Sequence, residues 1–243
     1  MEAPLLNLLL LEREDFVSES EVELSGRRLR HMLDVQQVKE GDTLRCGVIN
    51  GLRGSAEILT LEPARSRLRV DLNQPAPKPL PLTLVLALPR PKMLKRILQT
   101  SATLGIKQIF LMNAYRVDKS YWSTPILQPD SVSEQFRLGL EQAGDTLMPE
   151  LHLRKRFKPF VEDELPELAR GRRALIAHPY HASPCPNTSN EDTLAVIGPE
   201  GGFIPYEVAL MQDQGLSPFH LGERILRVET AVPVIASRLF PLF

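Results

Sequence analysis

Two short stretches concentrate residues whose types and spacing could do chemistry: Ile197-Gly-Pro-Glu-Gly-Gly-Phe203 and Leu221-Gly-Glu-Arg-Ile-Leu-Arg-Val-Glu-Thr-Ala231. Gly198, Gly201 and Gly202 lack a Cβ, so backbone N–H and C=O groups there can approach a ligand that any other residue would hold off. A tight turn required by sterics alone explains an isolated glycine run equally well. The segment has neither the G-x-G-x-x-G spacing of a dinucleotide site nor the Gly-Lys-Ser/Thr of a Walker loop, which disfavours a phosphate cradle. In the second stretch, Arg224 and Arg227 either supply a fixed positive charge or form surface ion pairs with Glu223 and Glu229, and such pairs contribute little. His178, His181 and Cys185 are metal-ligand types, but no fourth ligand lies nearby, so no metal is expected. The serines show no G-x-S-x-G elbow, which argues against a hydrolase.

Both stretches need a scaffold that brings strand ends together, and the patterning supplies one. Glu21–Leu24, residues 42–49, 55–61 and 67–72 read as short strands, several with alternating apolar residues, and so predict a small β domain. Asn50-Gly51 between two of these runs is a type I′ turn signal, although Gly54 suggests a longer loop. The apolar run 5–11 is preceded by Glu2 and followed by Glu12, and reads as a buried strand rather than a signal core. Pro75-Ala-Pro-Lys-Pro-Leu-Pro81 resists both helix and sheet and marks a boundary. Beyond it strands and helices alternate, predicting α/β architecture. Residues 82–88 read as a buried strand, 92–104 as a helix ended by Gly105, and 106–112 as another strand. Ser131 and Glu134 suggest a capping box for a helix reaching Ala143. Arg173–Ala177 and residues 194–197 read as buried parallel strands, Pro205 opens a helix, and a final helix begins near Glu229. That last helix tolerates Pro233 only in its first turn. Thus the Gly198–Gly202 segment follows a buried strand directly and precedes a helix, the position where open parallel sheets bind ligands.

With 243 residues, 43% of them hydrophobic, the chain can build a full core. A net charge of −1 gives no global pull toward a polyanion, so nucleic-acid contact has to come from local basic clusters. Two distant cysteines fit a reducing cytoplasm, and no stretch reaches the roughly 20 apolar residues of a membrane span.

The two stretches, their order and their place near the carboxyl end resemble the 16S ribosomal RNA uridine-N3 methyltransferases, the RsmE type of the SPOUT class. Leu82-Thr-Leu-Val-Leu-Ala-Leu-Pro89 with Lys92, Gln99, Leu104-Gly105, Glu141-Gln142 and Met148-Pro-Glu150 are similar to further ordered features of that family. The motif from His31 to Val38-Lys-Glu-Gly-Asp42 resembles one in its amino-terminal domain. The resemblance covers nearly the whole chain. It implies a PUA-like β-barrel over residues 1–74 that binds RNA, a linker over 75–81, and a SPOUT domain over 82–243. In that domain a trefoil-knotted parallel sheet would carry helices on both faces.

The resemblance further implies S-adenosylmethionine as cofactor, held by Ala177, His178 and Pro179, by Ile197, Gly198, Pro199, Glu200, Gly201 and Gly202, and by Leu221, Gly222, Ile225 and Leu226. It implies ribosomal RNA or the small ribosomal subunit as partner, and a homodimer. For the apolar ending 231–243, a dimer face and an ordinary core helix remain equal alternatives. Methylating a ring nitrogen needs an in-line approach and loss of a weakly acidic N–H. Arg224 is the candidate for stabilising the developing anion, with Glu229 or Glu200 to orient it or accept a proton.

The chain departs from the family outside these segments. Asp34, Gln37, Asp145 and Leu147 stand where the family carries arginines, and Thr100 and Thr103 where it has Lys and Glu. Arginine forks onto phosphate, so these replacements alter the RNA surface specifically. Basic clusters remain: Arg27, Arg28 and Arg30; Arg65, Arg67 and Arg69; Lys92, Lys95 and Arg96; and Arg154, Lys155, Arg156 and Lys158. Each is either a displaced RNA track, for which Arg27, Arg28, Arg30, Lys92 and Arg96 are the candidates, or a solvated face. The alternative to an active enzyme is a knotted RNA-binding or ribosome-assembly protein with lost or redirected methyl transfer.

Overall fold

The computed structural model describes residues 7–34 and 37–241, which divide into two compact units. The first comprises Met1–Lys78 with Arg137–Met148, the second Pro79–Phe136 with Pro149–Phe243.

The first unit holds strands β1 (Leu9–Leu11), β2 (Glu21–Leu24), β3 (Thr43–Val48), β4 (Arg53–Leu61) and β5 (Ser66–Gln74), with helix α1 (Gly26–Asp34) between β2 and β3. They form one sheet in the order β1-β3-β4-β5-β2, antiparallel except for the β1–β3 pair. Alternation drives the arrangement: in β5, Ser66, Leu68 and Val70 face inward while Arg67, Arg69 and Asp71 face water. Leu11, Val22, Leu24, Cys46, Ile58 and Leu68 build the core. Of the apolar run 5–11, residues 5 and 6 lie outside the described residues, and Leu9–Leu11 forms the buried strand.

The Asn50-Gly51 turn is not type I′. Only Asn50 has positive φ (58°), and Val48 N–H donates to Leu52 C=O at 3.0 Å, closing a longer loop. A segment remote in sequence completes this unit. Asn50 N–H donates to Thr146 C=O (2.8 Å), the Thr146 hydroxyl donates to Gly51 C=O (2.7 Å), and Arg53 Nη1 donates to Gly144 C=O (3.0 Å).

The second unit is built on seven parallel strands in the order β10-β12-β9-β11-β6-β7-β8. These are β6 (Leu82–Ala87), β7 (Gln108–Met112), β8 (Glu150–Arg154), β9 (Arg173–Ala177), β10 (Ser183–Pro184), β11 (Thr193–Ile197) and β12 (Ser217–His220). The central pair β6 and β11 is buried at every position, as expected where both sheet faces are covered. The helices of this unit are α2 (Pro91–Thr103), the first half of α3 (Pro129–Ala143, which from Arg137 belongs to the first unit), α4 (Phe157–Pro159), α5 (Leu165–Ala169), α6 (Pro205–Asp213) and α7 (Val228–Leu239), with a π-helical turn at Phe160–Glu164. None of the helices among the described residues is long and apolar enough to cross a membrane.

Two local expectations are corrected. Helix α3 starts at Pro129, where a proline needs no N–H partner, so Ser131 and Glu134 lie within the helix instead of boxing its end. Pro233 sits in the second turn of α7, where it deprives the Glu229 carbonyl of its intrahelical donor. Helix α7 still buries Val228, Val232, Ile235, Ala236 and Leu239 within its own unit, and it packs against α2 and β11.

Candidate functional site

Strands β12, β9 and β11 are neighbours, and their register sets Phe219 and Ile197 on either side of Ala177. Three loops therefore leave the sheet side by side at its carboxyl edge. They begin at His178, Gly198 and Leu221 and surround a cavity of about 870 Å³, within the range of small-ligand sites. Every residue named above for a cofactor pocket lines it, from Ala177–Pro179 through Ile197–Gly202 to Leu221, Gly222, Ile225 and Leu226. Phe219, Val228 and Ile235 add apolar wall.

The glycines have different jobs. A Cβ on Gly198 would stand 3.1 Å from the buried Phe203 ring. Gly202 takes a φ of 72° and closes the turn by donating its N–H to Pro199 C=O at 2.8 Å. Gly222, with φ 110°, donates its N–H to Nδ1 of His220 (3.1 Å), which fixes Nδ1 as the acceptor of that ring. His178 lines the cavity and meets Tyr180 edge-on, ring centroids 5.9 Å apart. Burial pushes its pKa below 6.5, and neighbouring His181 adds to this, both favouring the neutral imidazole.

Of the residues named for catalysis, Arg224 lies on the cavity wall, exposed and without an ion pair among the described residues. Its pairing with Glu223 or Glu229 on the surface does not occur. Glu200 also lines the cavity; its Oε1 accepts from the Arg90 backbone N–H (3.2 Å) and faces Arg90 Nε at 3.9 Å, and among the described residues it makes no ion pair with Arg224. Glu229 lies in the first turn of α7, half-buried and outside the cavity lining.

The RNA-contact candidates separate into two kinds. The Arg28 guanidinium donates to both Asp15 oxygens (2.5 and 2.6 Å) and to Leu10 C=O, an arrangement that builds the first unit and leaves little for an external phosphate. Arg27 pairs with Glu141 at 3.3 Å, while Arg30 is exposed. Arg65, Arg67 and Arg69 face Glu62, Glu21 and Glu23, and Glu57, a solvated salt-bridged face. Arg154 is committed to Glu164 at 2.6 Å. Lys92, Lys95 and Arg96 share one exposed face of α2 and make no ion pair among the described residues. Asp145 is buried, and its Oδ1 accepts the Leu147 N–H at 2.9 Å, an internal role for a position where an arginine was noted above.

Arg116 is a lining residue that sequence reasoning missed. It follows β7, so its only signal is the shared rule that loops leave parallel strands on the ligand side. No group of three metal-ligand side chains assembles among the described residues.

Residues 76–240 match the family of RNA methyltransferase domains. The chain is similar to ribosomal RNA small subunit methyltransferase E of Treponema pallidum, at 30% identity over 241 residues, covering 93% of this chain and 87% of that protein. It is also similar to ribosomal RNA small subunit methyltransferase E 1 of Borreliella burgdorferi, 21% identical with 93% and 94% covered. Ribosomal RNA small subunit methyltransferase E of Neisseria gonorrhoeae, solved bound to S-adenosylmethionine, superposes with a TM-score of 0.75 at 21% identity, covering 95% and 96%. A putative Legionella pneumophila methyltransferase solved with the same cofactor gives 0.71 at 24%, again covering 95% and 96%.

Proposed function

The chain belongs to the RNA methyltransferases of the ribosomal RNA small subunit methyltransferase E type, and on that premise we propose that it moves a methyl group from S-adenosylmethionine to N3 of a uridine in 16S ribosomal RNA. The observation that carries this reading is the convergence of three loops from the adjacent strands β12, β9 and β11 on one cavity with a glycine turn in its wall. The residues present suit the cofactor. Apolar side chains such as Ile197, Ile225 and Leu226 would enclose a flat base, and the glycine turn offers bare backbone groups at contact range. No P-loop lies in the sequence, and the cofactor has no phosphate to hold.

When bound, the cofactor supplies a methyl group activated by its sulfonium charge. The chain's own contribution is mainly to hold both reactants in line, which can be worth roughly 7–11 kcal/mol. In this reading Arg224, exposed on the cavity wall without an ion pair among the described residues, stabilises the charge that develops on the uracil oxygens as the N3 proton leaves. Glu200 is occupied by Arg90 and Glu229 lies off the wall, so neither carboxylate is assigned as the base.

Family membership extends the proposal to a trefoil knot, a PUA-like amino-terminal barrel, a homodimer and a cytoplasmic setting with the small ribosomal subunit as partner. The exposed face of Lys92, Lys95 and Arg96 is the better RNA track than the Arg27–Arg30 cluster, whose Arg28 is held by Asp15. Calorimetry of the purified chain with S-adenosylmethionine, and mass spectrometry of ribosomal RNA from cells with and without the protein, test the reading. Absence of cofactor binding rejects it. Binding with unchanged 3-methyluridine in the deletion, where no second enzyme compensates, transfers the activity to another RNA. Asp145, which stands where the family carries an arginine, favours that second reading.

A further inference from the structure

We infer that Arg116 is a positioning residue that holds the cofactor turn in its binding shape, an inference that rests on the cavity being the cofactor site. Its side chain reaches the glycine turn from the loop after β7, and its Nη1 donates to the Gly201 carbonyl. Gly201 makes room for it: a Cβ there would stand 2.9 Å from Arg116 Cδ. Unlike Gly202, Gly201 does not have positive φ, so the missing side chain at 201 serves the close approach of Arg116 and not backbone freedom.

The arginine is itself anchored. Glu207, 2% exposed, accepts the Tyr115 N–H on Oε1 at 2.7 Å and the Ile204 N–H on Oε2 at 3.0 Å. One buried carboxylate therefore ties the residue before Arg116 to the residue that caps α6, immediately after the glycine turn. On the other flank, Glu200 is tied to the Arg90 backbone. The turn is thus tied to two loops, those that follow β6 and β7, at the cavity wall. A flexible glycine turn binds weakly if its ordering has to be supplied on binding, and an anchored one does not. Arg116 is itself a residue of the cavity lining, and its guanidinium donors beyond Nη1 have no protein partner among the described residues.

The test uses the full chain and S-adenosylmethionine itself. Arg116→Ala should weaken calorimetric affinity for the cofactor about tenfold, the loss of one hydrogen bond at the turn. The cofactor KM should rise in parallel, with the KM for RNA and the melting temperature without cofactor unchanged. Arg116→Lys keeps one donor and should recover part of the loss. Gly201→Ala should imitate Arg116→Ala by pushing the side chain away, and the double variant should be no worse than the weaker single one, because both remove the same contact. If wild-type protein binds the cofactor and Arg116→Ala binds it equally well, the inference is wrong. A rise in the RNA KM alone also overturns it, by making Arg116 an RNA contact. Should Arg116→Ala fold poorly, Arg116→Lys and Gly201→Ala decide by the same readouts. Failure of wild-type protein to bind would instead reject the proposed function.

Discussion

Arg224 and His178 stand on the same cavity wall in opposite electrostatic conditions, one an exposed permanent cation and the other a partly buried ring whose neutral form is favoured. Removing a preorganised charge that acts on the transition state lowers turnover by roughly 100-fold. Arg224→Ala should therefore lose about that factor in kcat with cofactor affinity unchanged, as measured by transfer of a labelled methyl group. Because the folded pKa of His178 lies below 6.5, the unfolded chain binds more protons than the folded one as pH falls through 6.5. Stability should accordingly fall on acidification through that region, and His178→Gln should flatten the fall; a nuclear magnetic resonance titration should place the His178 midpoint below 6.5. The glycine turn and Arg224 were legible in the sequence, since their types and their place after strands are linear information. Arg116 and Glu207 were not. Each acts on a partner more than eighty positions away, and although Glu207 also accepts the Ile204 N–H three residues back, that local helix-end bond says nothing of its tie to Tyr115.

At the scale of elements, the buried parallel strands announced themselves as unbroken apolar runs, which is why β6, β9 and β11 fell close to their expected bounds. Strand β8 did not, because Glu-Leu-His-Leu-Arg lies at the sheet edge with charged ends and no fully buried position. The start of α3 was misread because a Ser-x-x-Glu pattern occurs inside helices as well as at their ends, and Pro129 was the stronger signal. Gly54 shows what one strand needs from a single residue: a Cβ there would meet the Asp71 carbonyl oxygen of β5 at 1.7 Å. Gly54→Ala forces β4 and β5 apart at a register shift, and denaturant unfolding should show a loss of about 4 kcal/mol or more.

On the scale of the molecule, one division between the units, Lys78/Pro79, falls within the proline spacer, but a second stretch of chain belongs to the first unit. Residues 137–148 complete the first unit through Gly144, Thr146 and the Leu8–Glu141 backbone bond, a non-local closure that no periodicity in 1–78 announces. Residues 1–78 expressed alone should melt well below the same unit in the intact chain, and adding the 137–148 peptide should raise the midpoint, as followed by circular dichroism. The two thiols have a practical consequence at this scale. Cys46 is fully buried with its pKa pushed up to about 12, so it stays a thiol and is closed to reagents, whereas Cys185 is only partly buried. Burial also raises the Cys185 pKa, so alkylation should be slow at neutral pH and quicken in mild base. The unaltered chain should therefore take up one maleimide dye, at Cys185. Its backbone N–H is bonded to the carbonyl of His220, a residue of the cavity wall, so the dye becomes an optical reporter beside the cavity without any engineered cysteine.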